Sequence, residues 1–213
     1  MGADKESREQ KEKQRRRKER KAKKLRTNIF IYTEGKKTEP LYFERFIEEL
    51  NLDPEKYHVD IVGLGYNTDR IITEARSKID EGGAVDHIWC VFDRDSFTKQ
   101  NVGRAFDLSK GHPYDAKIKI AFSNECFELW YILHFEYWCT GMPRKDYENK
   151  LTGHLGAKYK KNDPDIYSKL KDKLSIACNR AMELRKSHAY NNKANNNPWT
   201  DVDEMINWFQ TLS

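Results

Sequence analysis

The chain has 213 residues, of which 38% are hydrophobic and 34% are charged, and its formal net charge is +5. This length allows one domain, or one domain with a smaller appendage, and the apolar fraction is sufficient for a folded core. No apolar run approaches the length of a membrane span, and the N-terminal region lacks the apolar centre of a secretory signal. We therefore expect a soluble, cytoplasmic protein with no membrane partner.

The positive charge is concentrated at the start of the chain. Residues 1–26 contain 13 Lys and Arg and 5 Asp and Glu, a net charge of +8, whereas residues 27–213 have a net charge of −3. A segment with so much charge and almost no apolar residues cannot build a core, so we predict a disordered basic tail over residues 1–26. Two roles stay open for this tail: it contacts nucleic-acid phosphates without reading their sequence, or it only adds solubility.

Strands and helices alternate in the sequence that follows the tail. Short runs rich in β-branched and aromatic residues predict four strands, at residues 28–33, 59–63, 87–92 and 117–122. The segments between them have the apolar period of amphipathic helices, and Thr38 is a candidate cap for the first helix. This alternation predicts an α/β domain over residues 27–140, with a parallel four-stranded sheet and helices on both faces.

Helical patterns dominate the remainder of the chain, which we interpret as a helical extension over residues 141–213 packed on the sheet domain. Just before it, the run FELWYILHFEYW is apolar on nearly every side and predicts a buried helix. A long helix is predicted over residues 165–187. Thr200 and Asp203 have the spacing of a capping box, which predicts the start of a last helix.

Acidic residues directly follow the first and third predicted strands. Glu34 follows the first strand, and Asp93 and Asp95 follow the third in the sequence HIWCVFDRDS. Ligands bind outside the carboxyl ends of parallel strands. The two aspartates are two positions apart and share one face, and paired carboxylates of this kind suit Mg²⁺ or Mn²⁺. An acidic turn that merely ends the strand is the alternative interpretation.

The segment SNECFE after the fourth strand adds three possible accessory residues at the same edge: Asn124, Glu125 and Glu128. If the first and third strands are neighbours, the carboxylates repel one another unless a cation lies between them, and a divalent metal is the natural cation. If these strands are not neighbours, the carboxylates never meet. The sequence by itself does not decide the strand order.

Five separated segments occur in a recognisable order: NIFIYTEGKKTEPLYF, WCVFDRDS, AFSNECFELWYILHF, AKYKKN and NPWTDV. Together they resemble the RloB-like proteins, a prokaryotic family that has a Toprim-like core and is associated with restriction-modification and phage-defence loci. The resemblance extends from residue 26 to about residue 209. It implies a Toprim-like (Rossmann-like) fold in which Glu34 is a general acid/base and Asp93 and Asp95 hold Mg²⁺.

The resemblance also implies phosphodiester chemistry. We therefore expect a nuclease that uses Mg²⁺ or Mn²⁺, acts on DNA or RNA in phage defence or alongside restriction-modification, and has a partner protein from the same defence locus. Basic residues near the site or in the extension are candidates for phosphate contacts, although solvated surface is the simpler interpretation: Lys36, Lys37, Arg94, Lys158, Lys160 and Lys161.

Two other classes of function stay open. The chain could be a module that binds a metal and a nucleotide or RNA without cutting it, or an effector subunit that acts through protein contacts. A nuclease needs the metal and the carboxylates of Glu34, Asp93 and Asp95. A binding module should tolerate the loss of Glu34, and an effector should tolerate the loss of all three.

Overall fold

The computed structural model of the chain describes residues 11–12, 15, 26–65, 67–94, 99–188 and 193–213. Most of the predicted basic tail lies outside the described residues, and so does Asp95. Among the helices that are described, none is long and apolar enough to cross a membrane.

A five-stranded sheet forms the centre of the fold, in the order β2-β1-β3-β4-β5. The first four strands are parallel, and β5 is antiparallel to β4. The α/β class is thus confirmed, and the four predicted strands are found close to their expected bounds. The strands are β1 (Thr27–Thr33), β2 (Tyr57–Gly63), β3 (His87–Asp93), β4 (Ile118–Asn124) and β5 (Trp199–Thr200).

The prediction of a four-stranded sheet is wrong, because the chain returns to the sheet near its C-terminal end. Asn124 pairs with Trp199 and Ser123 pairs with Thr200. The amide of Asp201 then donates to the carbonyl of Phe122 at 2.9 Å. Two residues are too few to show the alternation by which a strand is recognised in a sequence. The C-terminal part of the chain therefore contributes a strand to the sheet as well as helices.

Helices cover both faces of this sheet. On one face, α2 (Thr68–Asp80) and α3 (Lys99–Leu108) pack against the side chains of Phe30, Ile88 and Phe92. On the other face, α1 (Thr38–Leu50) packs in a second core together with Ile29 and Trp89 and with the C-terminal helices. A short helix, α4 (Tyr114–Lys117), precedes β4. Since each face buries its own apolar core, the sheet is the central layer of the fold.

The C-terminal helices differ from their predicted bounds. Only six residues of FELWYILHFEYW form a helix, and all six are buried. The long predicted helix is divided by a 3₁₀ turn at Lys171–Lys173. The helices of this region are α5 (Glu128–Leu133), α6 (Arg144–Leu155), α7 (Ile166–Leu170), α8 (Leu174–Ser187) and α9 (Val202–Gln210).

The predicted Thr38 cap is wrong, and so is the reciprocal capping box of Thr200 and Asp203. Thr38 is the first residue of α1, and its hydroxyl donates to Asn162 Oδ1 at 3.1 Å. Thr200 belongs to β5, and its hydroxyl accepts a hydrogen bond from the amide of Val202 at 3.3 Å, at the start of α9. Asp203 forms a buried ion pair with Arg185 of α8. Thr38 and Asp203 thus make tertiary contacts in place of helix caps, whereas Thr200 keeps a local hydrogen bond to the helix start.

Asp201 fixes the turn between β5 and α9. The side chain is fully buried, Oδ1 accepts a hydrogen bond from Trp199 Nε1 at 3.0 Å, and Oδ2 accepts one from Lys193 Nζ at 2.9 Å. Burial raises the pKa of Asp201 from 3.8 to about 6, and Lys193 only partly opposes this rise. The folded protein therefore holds this proton more tightly than the unfolded chain does.

We expect the contribution of Asp201 to the free energy of unfolding to fall as the pH rises from about 4 to about 6, because the folded protein must then ionise this buried carboxyl group. Asp201→Asn removes this ionisation, so the variant should gain stability relative to the wild type over the same pH range. Urea denaturation at both ends of the range measures the difference. Asp172→Asn, at an exposed position, is the control. An equal stability difference between Asp201→Asn and the wild type at both pH values would contradict the prediction.

Candidate functional site

Glu34 and Asp93 lie at the ends of two neighbouring strands. β1 and β3 are parallel and adjacent, with Thr33 opposite Val91, so their carboxyl ends reach the same edge of the sheet. The amide of Glu34 donates to the carbonyl of Val91 at 3.0 Å, which holds the residue after β1 against β3. The arrangement in which the first and third strands are apart is therefore excluded.

A direct hydrogen bond joins these two residues. The backbone amide of Asp93 donates to Glu34 Oε2 at 3.1 Å. Asp93 is only 4% exposed, whereas Glu34 is partly exposed. The structure thus brings together two of the three predicted catalytic residues. The third, Asp95, lies outside the described residues, so its role stays a prediction.

Two more carboxylates are buried near Asp93. Glu128, a predicted accessory residue, is the first residue of α5. Glu39, which the sequence analysis missed, is the second residue of α1, and its Oε2 lies so close to Gly35 that a side chain there would overlap it. We call the four acidic residues, Glu34, Glu39, Asp93 and Glu128, the carboxylate cluster.

Burial and repulsion by neighbouring carboxylates oppose the ionisation of Asp93 and Glu39. Burial raises the pKa of Asp93 well above its usual range, and the negative charges of Glu39, Glu128 and Glu34 raise it further. Burial also raises the pKa of Glu39, and Glu128 contributes to that rise. Asp93 therefore feels the charge of the other three carboxylates, as a carboxyl group does when it shares a site with others.

Arg144, which the sequence analysis also missed, supplies positive charge to the carboxylate cluster. It is the first residue of α6, and its Nη2 lies 3.0 Å from Asp93 Oδ2. Its Nε lies 3.6 Å from Glu128 Oε2. The guanidinium opposes the rise in the pKa of Asp93. Repulsion among the carboxylates therefore does not by itself require a metal, because a cation from the protein already lies between two of them.

The loop between α6 and α7 also reaches the carboxylate cluster. The hydroxyl of Tyr159 donates to Glu128 Oε1 at 3.3 Å, and Asn162 is the partner of Thr38 at the start of α1. The charge of Lys161 partly opposes the rise in the pKa of Glu39, which places this predicted phosphate-binding residue near the site. Lys158 and Lys160 are exposed on the same loop.

The three basic residues predicted beside the carboxylates occupy the loops after β1 and β3. Lys36 and Lys37 are exposed, and the side chain of Lys36 lies over Gly65 in the loop after β2. The amide of Arg94 donates to the carbonyl of Ser123 at 2.9 Å. Lys36 and Lys37 are thus available to a ligand at this edge.

The other two accessory residues have different surroundings. Asn124 is buried at the end of β4, where its Nδ2 donates to the carbonyl of Asn196 at 2.6 Å. It thus ties the sheet to the segment before β5. Glu125 is partly exposed, and its charge contributes to a raised pKa of Tyr147, after burial and the neighbouring Cys126.

The donor chemistry near Asp93 suits a hard divalent cation. Within the described part of the chain, no group of three or more His, Cys, Asp or Glu side chains is placed to hold a metal. Asp93 Oδ1 and Glu39 Oε2 are buried, however, and have no hydrogen-bond partner among the described residues. Buried oxygens are unfavourable without a partner, and carboxylate oxygens are the ligands that Mg²⁺ prefers. Asp93 therefore fits a metal ligand, and the predicted set also includes Asp95.

A cavity of about 420 Å³ lies beside β4, away from the carboxylate cluster. Trp89, Ile118 and Ile120 form its strand side, and Phe106 and Trp208 are among the other lining residues. No residue of the carboxylate cluster lines it, so its size does not bear on the chemistry at the edge of the sheet.

The fold and the site together define a class: an α/β protein that collects acidic residues at the carboxyl ends of parallel strands. The family model described as RloB-like protein matches residues 29–208 of the chain. The chain therefore belongs to the RloB-like protein family, which confirms the resemblance seen in the sequence. Searches of curated proteins and of solved structures gave no match.

Proposed function

We propose that this protein is a metal-dependent nuclease that hydrolyses phosphodiester bonds of DNA or RNA at the carboxylate cluster, in the cytoplasm, as part of prokaryotic defence. The observation that carries the proposal is the contact between Glu34 and Asp93 across β1 and β3. It unites two acidic residues at the edge of the sheet where ligands of such folds bind. The Toprim-like interpretation of the core, with Glu34 and D-x-D as its site, belongs to this proposal.

The formal charges near Asp93 support a divalent cation. If every group is ionised, the carboxylate cluster contributes four negative charges, and Asp95 would add a fifth. Among the described residues, the cations Arg144 and Lys161 act on these carboxylates. The carboxylates outnumber these two cations, and a bound Mg²⁺ or Mn²⁺ would offset further negative charge.

Each residue has a distinct task in the proposed hydrolysis. Asp93, together with Asp95, would hold Mg²⁺ or Mn²⁺. The bound metal would polarise a phosphoryl oxygen and stabilise the negative charge that develops on it. Glu34 takes a proton from the attacking water or returns one to the leaving oxygen. Its hydrogen bond to the amide of Asp93 keeps the Glu34 carboxylate in a fixed position beside the metal ligand.

Basic side chains around the carboxylate cluster support a polyanionic substrate. Lys36 and Lys37 are exposed after Gly35 in the loop that follows Glu34, and Lys161 acts on Glu39 from the loop between α6 and α7. Ammonium groups at such positions bind phosphates on either side of a scissile bond without reading the base sequence. The proposed substrate is therefore a nucleic-acid strand that runs along the carboxyl edge of the sheet.

A module that binds nucleic acid without cutting it is the second candidate function. The ion pair between Arg144 and Asp93 favours this alternative, because a carboxylate that is already paired with a guanidinium is a poorer metal ligand. A partner protein from the same defence locus would then carry out the chemical step, and this chain would supply recognition.

Cleavage assays distinguish the two candidates. Single-stranded and double-stranded DNA and RNA are incubated with the purified chain in Mg²⁺, Mn²⁺ or EDTA, alone and with proteins encoded beside it. We expect cleavage of at least one substrate in metal and none in EDTA. Binding without cleavage under every condition would favour the second candidate.

Removal of residues 1–26 should leave the fold intact but weaken the binding of nucleic acid. This segment carries a net charge of +8, and each phosphate that it neutralises contributes about 0.9 to the log–log dependence of affinity on salt for duplex DNA, and about 0.7 for single strands. Fluorescence anisotropy at several salt concentrations measures this slope. A chain whose tail has Gln at every Lys and Arg is the matched control. If the salt dependence of the affinity is unchanged after the deletion, the tail does not contact nucleic-acid phosphates.

A further inference from the structure

Arg144 links the C-terminal helices to the carboxylate cluster. Its Nη2 lies 3.0 Å from Asp93 Oδ2, but its Nε is 3.6 Å from Glu128 Oε2, which is beyond ordinary hydrogen-bond distance. The side chain of Arg144 is 25% exposed, although that of Asp93 is almost completely buried. The guanidinium therefore contacts the buried carboxylate and also reaches solvent.

A second arginine in the same fold shows what a structural ion pair looks like. Arg185 contacts both carboxylate oxygens of Asp203, with Nη2 at 2.7 Å from Oδ2, and Nη1 also donates to the carbonyl of Thr200. That guanidinium is held by two oxygens of one carboxylate and by the backbone, and it is less exposed than Arg144. Arg144, by contrast, contacts one oxygen of Asp93 rather than both, and its side chain is more exposed than that of Arg185.

We propose that Arg144 is an exchangeable phosphate-binding residue: it pairs with Asp93 in the metal-free protein and binds a phosphate oxygen of the substrate once a divalent cation binds Asp93. This inference rests on the proposed nuclease function. It assigns the substrate contact to the first residue of α6, and thus makes the C-terminal region part of the catalytic site.

Elementary electrostatics gives the direction of the exchange. A guanidinium and a divalent cation that share one carboxylate repel each other, and the repulsion is strong where burial reduces screening by water. The side chain of Arg144 is 25% exposed, so a phosphate in solution can reach the guanidinium. A phosphodiester offers it oxygen acceptors that match its planar set of N–H donors. Metal binding and phosphate binding are therefore expected to respond oppositely to the loss of Arg144.

Arg144→Gln tests the exchange through binding, without reference to activity. Titration with Mn²⁺, followed by electron paramagnetic resonance, measures metal affinity in the absence of nucleic acid. We expect Mn²⁺ to bind about tenfold more tightly to Arg144→Gln than to the wild type, because the competing cation is gone. Fluorescence anisotropy with short DNA and RNA strands, in Ca²⁺ in place of Mg²⁺, measures substrate affinity. We expect that affinity to fall about tenfold in Arg144→Gln.

Lys145→Gln is the matched control, because it removes the same charge from an exposed neighbour on α6. It should change neither affinity by more than about twofold. If Arg144→Gln does not fold, as judged by circular dichroism, Arg144→Lys takes its place. Lysine keeps the charge but loses the planar donor set, so the affinity for nucleic acid should still fall.

The outcomes separate this inference from the proposed function. If the wild type binds Mn²⁺ and Arg144→Gln binds it no more tightly, the proposed exchange is wrong, but the metal site is still supported. Unchanged affinity of the variant for both nucleic acids would also overturn it. If neither the wild type nor Arg144→Gln binds Mn²⁺, both the proposed exchange and the proposed metal-dependent nuclease activity are contradicted.

Discussion

Glu34→Gln is expected to lower the rate of phosphodiester cleavage by about 10²–10⁴-fold, which is the usual contribution of general acid–base catalysis. Glutamine has the shape of glutamate, and its carbonyl oxygen can still accept the hydrogen bond from the amide of Asp93. The position of the side chain should therefore survive while its ability to transfer a proton is lost. Single-turnover cleavage and Mn²⁺ titration measure the two properties separately.

The metal affinity of Glu34→Gln should stay within about threefold of wild type, and added metal should not restore the rate. Glu44→Gln, an exposed substitution on α1, is the matched control and should cleave at the wild-type rate. Wild-type cleavage by Glu34→Gln would remove Glu34 from the chemistry. A large loss of metal affinity would instead make Glu34 a metal ligand.

Asp93→Asn is expected to act mainly on the metal. Asparagine keeps one carbonyl oxygen but removes the negative charge, so the affinity for divalent cations should fall by at least about tenfold, since even substitutions outside the ligand shell cost about 10–100-fold. Cleavage in Mg²⁺ should be lost, and high Mn²⁺ should restore it in part. The distinction from Glu34→Gln is the partial rescue, which only a metal ligand should show.

Thermal unfolding without metal is the control for Asp93→Asn. Burial raises the pKa of Asp93, so ionisation of this group at neutral pH opposes folding, and the opposition disappears as the pH falls and the group is protonated. The neutral asparagine should therefore fold at least as stably as the wild type at neutral pH. A variant that is folded, binds Mn²⁺ normally and cleaves normally would show that Asp93 is not a ligand.

The residues at the ends of the strands could be predicted from the sequence because two strong local signals coincide there. The apolar run before Asp93 fixes β3, and the glycine after Glu34 fixes the end of β1. Parallel strands then place both residues at one edge of the sheet. The adjacency of β1 and β3 is a property of the strand order, which a local pattern does not determine and the structure supplies.

Glu39 of the carboxylate cluster and its cationic partner Arg144 could not be found in this way. Glu39 lies in the first turn of an amphipathic helix, where an acidic residue is ordinary because it complements the helix dipole. The only local feature of the sequence that sets Glu39 apart is its position just before Pro40. Arg144 is 51 residues from Asp93 in the chain, and its contact depends on how the C-terminal helices pack. Among 39 Lys and Arg, no local pattern distinguishes it.

Apolar content alone also misled the assignment of secondary structure. Residues 127–134 of the segment FELWYILHFEYW are buried in the core on one face of the sheet and residues 135–138 are half-buried, but only residues 128–133 are helical. A run that is apolar on all sides has no period, so burial could be predicted and helix length could not. β5 could not be predicted for a different reason: a strand of two residues is too short to show a period in the sequence.

A crystal soaked in Mn²⁺ would show whether Glu34, Asp93 and Asp95 share one divalent cation. We expect an anomalous peak about 2–2.3 Å from an oxygen of Asp93, with Glu34 within reach of the metal or its water ligands, and with Arg144 moved away from Asp93 Oδ2. Crystals of Asp93→Asn, soaked in the same way, should show a weaker peak. An Asp93 that keeps its ion pair with Arg144 at saturating Mn²⁺, with no peak beside it, would show that these carboxylates hold no divalent cation.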